Sequence, residues 1–424
     1  MDKIIIEGGR PLKGEVRISG SKNATLPVLA ATLLTDETCI LRNVPRLIDI
    51  RTMVDLLRSL GKDIEWGKDK DKDKLTIMSG SKVSHVADYK LVSKMRGSIC
   101  VLGPLLAKLG EAKVSLPGGC VIGVRPVDLH QKGIEALGSR VTVEGGYIIA
   151  KARKLKGARV YLAGASGPSV LGTANIMMAA ALAEGETVIE SAACEPEVEE
   201  LANFLNQMGA RIRGQGSPRI VVQGVKKLHG ADYRMSFDRI EGGTFVLLAA
   251  MARSSFAIRD IDYSQLTALD DVLMNIGVRV EAEKNLVRVR APKVLKPFSV
   301  TTYPYPGFPT DLQAQYTAIM ALTNGVSVIR DTVFPDRFMH IAELARMGAR
   351  IRREGGSAIV EGVKELSGAP VTASDLRASA ALVMAGLVAE GRTEIRRVYH
   401  LDRGYENIDK KLIALGASIK REKE

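Results

Sequence analysis

The fold is decided by residues 25–61, which read TLPVLAATLLTDETCILRNVPRLIDIRTMVDLLRSLG. The first ten of these residues are apolar nearly all round, which predicts a helix buried on every side. A β-branched run then predicts a strand. The apolar residues from Met53 to Leu60 recur at the spacing of one helix face, and Gly61 is expected to end that helix. This unit of buried helix, strand and amphipathic helix is the pattern that the rest of the chain repeats.

The repeat runs along the whole chain. Each copy ends in an apolar residue followed by glycine, and these glycines are Gly61, Gly138, Gly209, Gly277, Gly348 and Gly416. Successive glycines are 68 to 77 residues apart, which indicates one supersecondary unit repeated six times. Three such units can enclose their apolar helices within sheets, so six units predict an α/β protein with two domains. The spacing leaves open which domain the first strands, Ile4–Ile18, complete.

The composition is that of an ordinary globular protein, with 46% apolar residues, 25% charged residues and a net charge of +12. The positive charge favours acidic partners, but the 4% of aromatic residues argues against nucleic-acid binding by base stacking. No apolar run reaches the roughly 18 residues of a membrane span, and the first residues have no signal-peptide pattern. P-loop, Rossmann and zinc motifs are absent. We therefore expect a cytoplasmic protein with free thiols and no metal.

A small polar segment, Ser19–Asn23, lies between a predicted strand and the first buried helix. It places Lys22 at a helix N-terminus, where backbone N–H groups and the helix dipole favour anions. The alternative is an ordinary helix cap with a solvated lysine. The segment alone does not decide between an anion site and a cap.

The loop at residues 116–130, LPGGCVIGVRPVDLH, contains a cysteine that differs from the other three. Cys120 follows a Pro-Gly-Gly turn and lies close in sequence to Arg125, and a nearby cation makes a thiol more acidic and reactive. The alternative is a buried, inert thiol. That inert role is the one expected of Cys39, Cys100 and Cys194.

Several other charged residues allow both a functional and a structural interpretation. Arginines in pairs suit phosphate and carboxylate groups, although singly most arginines are surface residues; those in question are Arg96, Arg125, Arg337 and Arg403. Asp311 is placed either to cap the following helix or to act as a general base. The histidines His130, His340 and His400 are expected to be structural.

Taken together, these stretches resemble the enolpyruvyl transferase family, and within it the UDP-N-acetylglucosamine 1-carboxyvinyltransferases. The resemblance runs from end to end, through residues 20–24, 95–98, 116–130, 308–315, 332–340, 375–380 and 400–406. It implies two domains, each a threefold inside-out α/β barrel of three repeats of about 70 residues. It also implies that the first strands return to the second domain. The expected domains are then residues 22–232, and residues 1–21 with 233–424.

The resemblance implies a reaction as well. The enolpyruvyl group of phosphoenolpyruvate is transferred to the 3-hydroxyl of UDP-N-acetylglucosamine with release of phosphate, the first committed step of peptidoglycan synthesis. Cys120 matches the acid that protonates the methylene carbon, can carry a covalent pyruvate-derived phospholactoyl adduct, and is the thiol that the epoxide fosfomycin alkylates. Asp311 matches the base. Lys22, Arg125 and Arg403 match the positions that hold the phosphate and carboxylate, and no metal or organic cofactor is implied.

The resemblance assigns further positions to the two small-molecule substrates, and it implies neither a nucleic acid nor a membrane as a partner. These positions are Asn23 at the reacting groups, Arg96 near the phosphate, Arg125, Pro126, Val127, Asp128 and Leu129 around the uracil, Ser169 and Val170 at the diphosphate, Val333 at the sugar, and Arg337 and Arg377. One departure is Leu171, which replaces a glycine found in many members at the diphosphate segment and predicts an altered nucleotide affinity. The oligomeric state is left open.

Three other functions fit parts of the sequence. The first is 5-enolpyruvylshikimate-3-phosphate synthase, but the cysteine loop and its Arg-Pro-Val-Asp-Leu-His segment favour the UDP-sugar. The second is a nucleic-acid-binding repeat protein or an RNA 3′-terminal phosphate cyclase, which the few aromatic residues and the spread of the basic residues disfavour. The third is a non-catalytic paralogue, which the presence of every reacting-group position disfavours.

Overall fold

The computed structural model describes residues 2–80, 83–118 and 127–424. Within these ranges the chain divides into two compact units. The first unit contains residues 20–118 and 127–236, and the second contains residues 2–19 and 237–424. Strand Asp232–Arg234 pairs in parallel with Cys39–Arg42, so the first unit extends to Ser236, a few residues beyond the expected boundary at 232.

The described strands are short and are spread over both units. In chain order they are β1 (Asp2–Glu7), β2 (Gly14–Arg17), β3 (Cys39–Arg42), β4 (Lys62–Trp66), β5 (Leu75–Ser79), β6 (Val86–Ala87), β7 (Glu111–Ser115), β8 (Arg140–Glu144), β9 (Tyr147–Lys151), β10 (Arg159–Tyr161), β11 (Ala163–Gly164), β12 (Gly167–Pro168), β13 (Glu186–Glu190), β14 (Arg211–Arg213), β15 (Arg219–Gln223), β16 (Asp232–Arg234), β17 (Phe256–Arg259), β18 (Arg279–Glu283), β19 (Leu286–Arg290), β20 (Val300–Thr302), β21 (Val326–Asp331), β22 (Arg350–Glu354), β23 (Ser357–Glu361), β24 (Pro370–Thr372), β25 (Arg392–Arg396) and β26 (Ser418–Lys423).

These strands form six four-stranded sheets with one common pairing pattern, while β11 and β12 form a separate hairpin. In each sheet an edge strand is parallel to its neighbour, and the remaining two pairs are antiparallel. The first unit contains β16-β3-β5-β4, β6-β7-β9-β8 and β10-β13-β15-β14. The second contains β2-β17-β19-β18, β20-β21-β23-β22 and β24-β25-β1-β26. Each of the six sequence copies therefore corresponds to one sheet.

The first two strands belong to the second unit. Strand β1 lies between β25 and β26, with Ile4 opposite both Ile395 and Arg421. Strand β2 is the parallel edge strand beside β17. In the first unit β16, which follows the third copy, supplies the same edge position beside β3. The pairing of β1 and β2 agrees with the expectation from the family resemblance, which the repeat spacing alone left open.

The helices alternate with the strands. They are α1 (Lys22–Ala31), α2 (Ile48–Ser59), α3 (Tyr89–Val92), α4 (Leu102–Leu109), α5 (Asp128–Ala136), α6 (Val170–Ala180), α7 (Pro196–Gln207), α8 (Arg239–Met251), α9 (Thr267–Asn275), α10 (Gln313–Met320), α11 (His340–Arg346), α12 (Leu376–Val388) and α13 (Ile408–Ala414). The described residues also include 3₁₀ helices at Thr32–Leu34, Asp69–Asp71, Arg96–Val101, Tyr263–Leu266, Thr310–Leu312 and Val398–Arg403. None of the helices in the described parts of the chain combines the length and apolar character that a bilayer crossing requires.

The amphipathic helices α2, α5, α7, α9, α11 and α13 end where the sequence predicts. Each is followed by one apolar residue and then by a glycine with a left-handed φ between 88° and 100°. A side chain with a Cβ is strained at such an angle, whereas glycine is not. The repeated apolar-Gly pair is therefore a helix terminator at all six positions.

The other long helices, α1, α4, α6, α8, α10 and α12, supply the buried element of each copy. Every residue of α8 is buried, and so is every residue of α10. Their apolar side chains form two separate hydrophobic cores, one in each unit. The predicted buried helices are confirmed, and the starts of several of them carry the candidate site residues.

Candidate active-site residues in each unit

In the second unit, Asp311 lies between two buried arginines. Its Oδ1 accepts a hydrogen bond of 2.7 Å from Arg337 Nη1, and its Oδ2 accepts one of 2.8 Å from Arg377 Nη2. The arginine side chains are 7% and 2% exposed, while that of Asp311 is 26% exposed. The carboxylate is thus the part of the cluster that solvent reaches, and two guanidinium groups stabilise its charge.

The interpretation of Asp311 as a helix cap is wrong. Asp311 lies inside the 3₁₀ helix Thr310–Leu312, and the residues at the cap positions of that helix and of α10 are Pro309 and Leu312, which make no side-chain cap. The carboxylate turns instead to arginines 26 and 66 residues along the chain. Long-range ion pairing has therefore displaced the local capping that the sequence pattern suggested.

Arg377 is the most deeply buried charge of this cluster, with 1% of the residue exposed. Burial opposes its charge, but the nearby Asp311, together with Tyr405 and Asp238, raises the pKa of the guanidinium above its ordinary value. Because the arginine stays charged, its side chain needs acceptors on all sides. Asp311 and the hydroxyl of Tyr405, 3.2 Å from Nη1, are two of them.

Asp331 ties the turn that carries Val333 to the same cluster. Its Oδ1 accepts a hydrogen bond of 3.0 Å from the backbone N–H of Val333, and its Oδ2 accepts one of 2.6 Å from the hydroxyl of Thr310. Thr310 precedes Asp311, and its Oγ1 lies 3.3 Å from Arg337 Nη1. One buried carboxylate thus joins the predicted sugar contact to the predicted base.

Arg403 ends the 3₁₀ helix Val398–Arg403, and left-handed residues, Arg397 and Asn407, flank this segment. Burial, with the positive charge of Arg403, lowers the pKa of His400 on the same turn. Burial also lowers the pKa of His340 to about 4. Both histidines are therefore neutral near pH 7, so the positive charge of this region comes from its arginines.

In the first unit, Lys22 is the first residue of α1. The hydroxyl of Ser21 caps the helix by accepting a hydrogen bond from the N–H of Ala24. Lys22 is only 8% exposed, and its Nζ lies 3.8 Å from the buried carboxylate of Asp49 on α2. The cap and the lysine site coexist, because different residues supply them. A solvated lysine is the part of the alternative that the structure contradicts.

Arg96 starts the 3₁₀ helix Arg96–Val101, which packs against α1. It lies near His130, since burial and the charge of Arg96 together lower the pKa of His130 to about 3. Asn175 Nδ2 donates to His130 Nδ1 at 2.9 Å and to the carbonyl of Ile99 at 2.9 Å. Asn175 therefore joins α5, α6 and the segment that carries Arg96.

The starts of α5 and α6 carry the residues predicted to contact the nucleotide. Asp128 is exposed and Leu129 half-buried at the start of α5, where Leu129 lies beside Gly164 and Gly172. Ser169 caps α6 by accepting a hydrogen bond of 3.0 Å from the N–H of Gly172. The Ser169 hydroxyl is thus occupied, and the start of α6 is a helix N-terminus, the kind of position that favours anions.

Leu171 and the cysteines also have defined environments. Leu171 is half-buried against the core of the first unit, as is Val127. Cys39 and Cys100 are fully buried, as expected of inert thiols, and burial raises the pKa of Cys100 to about 12. Cys194 is only partly buried, so the expected burial is wrong for this residue, although what burial it has raises the pKa of its thiol.

Cys120, Arg125 and Pro126 lie outside the described residues. In the described ranges, His, Cys, Asp and Glu side chains form no group of three or more that could bind a metal ion. The structure also shows polar residues that the sequence did not single out, namely Asp49, Asn175, Asp331 and Tyr405. A buried polar residue in an apolar segment was the available signal for Asn175, but the partners of the other three lie in separate copies or segments.

The protein is similar to characterised families over nearly its full length. The sequence profile of the family described as EPSP synthase (3-phosphoshikimate 1-carboxyvinyltransferase) matches residues 6–412. A UDP-N-acetylglucosamine 1-carboxyvinyltransferase from Methylacidiphilum infernorum is 50% identical over 422 residues, covering 99% of both chains. One from Lawsonia intracellularis is 52% identical over 424 residues, covering 100% of both. The crystal structure of the enolpyruvyl transferase NikO from Streptomyces tendae is 24% identical, covers 99% of this chain and 98% of its own, and superposes with a TM-score of 0.90, which shows a shared fold.

Proposed function

The chain belongs to the EPSP synthase (3-phosphoshikimate 1-carboxyvinyltransferase) family, and we propose that it transfers the enolpyruvyl group of phosphoenolpyruvate to the 3-hydroxyl of UDP-N-acetylglucosamine. The observation that carries this choice of acceptor is the 50–52% identity, over 99–100% of the chain, to relatives named for that reaction. The product then feeds peptidoglycan synthesis. Shikimate 3-phosphate is the second candidate acceptor, favoured by the membership of the chain in a family described as 3-phosphoshikimate 1-carboxyvinyltransferases.

The proposed reaction needs an acid and a base. The thiol of Cys120 gives its proton to the methylene carbon of phosphoenolpyruvate, which makes the neighbouring carbon electrophilic. Asp311 takes the proton of the sugar hydroxyl, and the oxygen of that hydroxyl forms a bond to the electrophilic carbon. The tetrahedral intermediate then loses inorganic phosphate, which takes up the proton held by Asp311, while the methyl group returns a proton to the thiolate of Cys120 and leaves an enolpyruvyl ether. Asp311 suits the base, because Arg337 and Arg377 hold it as a carboxylate at 2.7 and 2.8 Å.

Positive charge must balance the phosphate and carboxylate groups of the substrate. We assign this role to Lys22, Arg125 and Arg403, with Asn23 and Arg96 beside the reacting groups, so that the reaction as proposed uses no metal or organic cofactor. A thiolate at Cys120 can also add to the same carbon and form a phospholactoyl adduct. The buried position of Lys22 beside Asp49 supports a fixed ammonium at the start of α1.

We assign the diphosphate of the nucleotide to the start of α6 through the N–H groups near Ser169 and Val170, and the uracil to residues 125–129. The side chain of Leu171 packs against the core. The substitution of leucine for glycine therefore leaves the first N–H groups of α6 in place, and a full loss of nucleotide binding is not expected.

We also propose that the three sheets and buried helices of each unit form a threefold inside-out barrel. Three sheets with the same strand pairing in each unit support this arrangement. We place the protein in the cytoplasm, where thiols such as Cys39, Cys100 and Cys194 stay reduced.

The proposed function is tested by measuring phosphate release from phosphoenolpyruvate, with and without UDP-N-acetylglucosamine, in the wild type and in Cys120→Ser. We expect release to require the sugar nucleotide and to fall by about a hundredfold or more in the variant, since a hydroxyl is a far weaker acid than a thiol. Cys100→Ser is the control. Near-wild-type turnover of Cys120→Ser would contradict the acid assignment, and release with shikimate 3-phosphate alone would select the other acceptor. Mass spectrometry after fosfomycin treatment should find the adduct on Cys120.

A further inference from the structure

The hydroxyl of Tyr405 lies at the centre of a buried polar cluster in the second unit. Tyr405 is 1% exposed. Its oxygen is 3.2 Å from Arg377 Nη1, 3.1 Å from Gln315 Nε2 and 3.0 Å from Thr244 Oγ1. Three different helices, α12, α10 and α8, supply these partners. The phenol therefore connects three of the buried elements on which the second unit is built.

The direction of each hydrogen bond follows from the chemistry of the partners. An arginine has only donors, so Arg377 donates to the tyrosine oxygen. The hydroxyl of Thr244 donates its single proton to the carbonyl of Ile240 at 2.8 Å. The tyrosine must then donate its own proton to Thr244 Oγ1, which leaves its lone pairs to accept from Arg377 and from Gln315 Nε2. The phenol acts toward Arg377 purely as an acceptor.

This acceptor fixes the orientation of Arg377. Among the described residues, Nε of Arg377 has no hydrogen-bond partner, and Nη2 donates to Asp311 Oδ2 at 2.8 Å. Tyr405 and Asp311 thus hold opposite sides of one guanidinium that is almost wholly buried. Loss of the phenol oxygen would leave Nη1 buried without this acceptor, and the guanidinium would turn to find another. Such a turn would move the carboxylate of Asp311.

Tyr405 also fixes the turn that carries Arg403. Its backbone N–H donates to the carbonyl of Leu401 at 3.0 Å, which closes the 3₁₀ helix Val398–Arg403. Gly404, between the two residues, leaves no room for a side chain, since a Cβ there would lie 2.6 Å from Leu376 Cδ2. The position of the Tyr405 ring and that of the Arg403 backbone are therefore linked.

We infer that Tyr405 is a positioning residue for the transferase reaction, which sets the base Asp311 through Arg377 while anchoring the turn of Arg403. The inference rests on the proposed function, in which Asp311 takes the proton of the sugar hydroxyl. Tyr405 itself reaches no substrate, because it is buried and its hydroxyl is fully used by protein groups. Its effect should therefore appear in turnover more than in substrate binding.

The test compares Tyr405→Phe with Tyr316→Phe in steady-state phosphate release. Tyr316 is an equally buried tyrosine of the same unit, whose hydroxyl donates to the carbonyl of Phe298 at 2.9 Å. We expect Tyr405→Phe to lower kcat by about tenfold with the KM for both substrates within about twofold, and Tyr316→Phe to keep its kcat within about twofold. Thermal unfolding of both variants shows whether any loss follows stability alone.

A double-mutant cycle with Asp311→Asn separates positioning from a general structural effect. If Tyr405 acts through Asp311, adding Tyr405→Phe to Asp311→Asn should lower kcat by less than about twofold further. Three results would each overturn the inference. They are a double variant whose kcat falls by the product of the two single losses, an unchanged kcat in Tyr405→Phe, and a loss of kcat in Tyr316→Phe equal to that in Tyr405→Phe. A wild type without sugar-dependent phosphate release would overturn the proposed function as well, whereas an active wild type with a fully active Tyr405→Phe would overturn the inference alone.

Discussion

His130 is a buried titratable side chain whose charge state decides stability in acid. Only 2% of the residue is exposed, and burial, aided by the charge of Arg96, lowers its pKa to about 3 from the ordinary value of 6.5. Between these values the unfolded chain binds a proton that the folded chain does not. The stabilising contribution of neutral His130 is therefore complete above pH 6.5 and is lost progressively as the pH falls toward 3.

Replacement of this histidine should flatten the pH dependence of unfolding. We expect the free energy of unfolding of the first unit to fall by about 2 kcal/mol less between pH 7 and pH 5 in His130→Gln than in the wild type. Urea titrations followed by fluorescence of Trp66, the single tryptophan, report this unit. His229→Gln is the control, since His229 is exposed. If the free energy of unfolding of His130→Gln changed with pH as steeply as that of the wild type, His130 would titrate normally in the folded chain.

The sequence predicts the chemical type of single site residues better than their partners. Asp311 and Lys22 were found because they precede or begin a helix in a recognisable pattern. The resemblance assigned Arg337 and Arg377 to the site, but the residues alone did not pair them with Asp311, because Arg377 lies 66 residues from Asp311 and the tyrosine that accepts from Arg377 lies 28 residues further on. Local rules therefore made a helix cap plausible at Asp311, whereas the folded chain brings its carboxylate to two buried arginines.

Among the elements, helix ends are the part of the fold that the sequence specifies most directly. The apolar-Gly pairs predict all six ends, because a left-handed φ is a local property of one residue. The close approach of two helices is not local. Gly103 lies inside α4, and a Cβ there would be 2.3 Å from the carbonyl oxygen of Asn175 on α6. The sequence near Gly103 contains no pattern that predicts its contact with Asn175.

Replacing a helix-end glycine and a helix-contact glycine by alanine should therefore lower the free energy of unfolding by different amounts. Gly138 has a φ of 88° and open space around its Cβ position, so Gly138→Ala should lower the free energy of unfolding by about 1 kcal/mol through backbone strain. Gly103→Ala must separate α4 from α6 and should cost about 3 kcal/mol. Urea unfolding followed by Trp66 fluorescence measures both. Equal costs, or a larger cost at Gly138, would contradict the close packing of α4 on α6.

At the level of the whole chain, the second unit depends on its first strand. Ile6 of β1 is fully buried between β25 and β26, so Ile6→Ala should lower the free energy of unfolding of this unit by about 3 kcal/mol. Lys3→Ala on the same strand, which removes a partly exposed ion pair with Glu394, should cost less than about 1 kcal/mol. Far-UV circular dichroism in urea detects the loss. Similar urea midpoints for Ile6→Ala and Lys3→Ala would show that β1 does not contribute to the core of the second unit.

The pairing of β1 has a consequence for synthesis of the protein on the ribosome. Lys3 and its partner Glu394 are 391 residues apart. At about 5 to 20 residues per second, roughly 20 to 80 seconds pass between the translation of the two strands. During that time the three isoleucines of β1 have no sheet to join, although the whole first unit is translated before the interval ends. Strand β1 therefore gives a chaperone that binds apolar peptides a long opportunity to act before its partner strands are made.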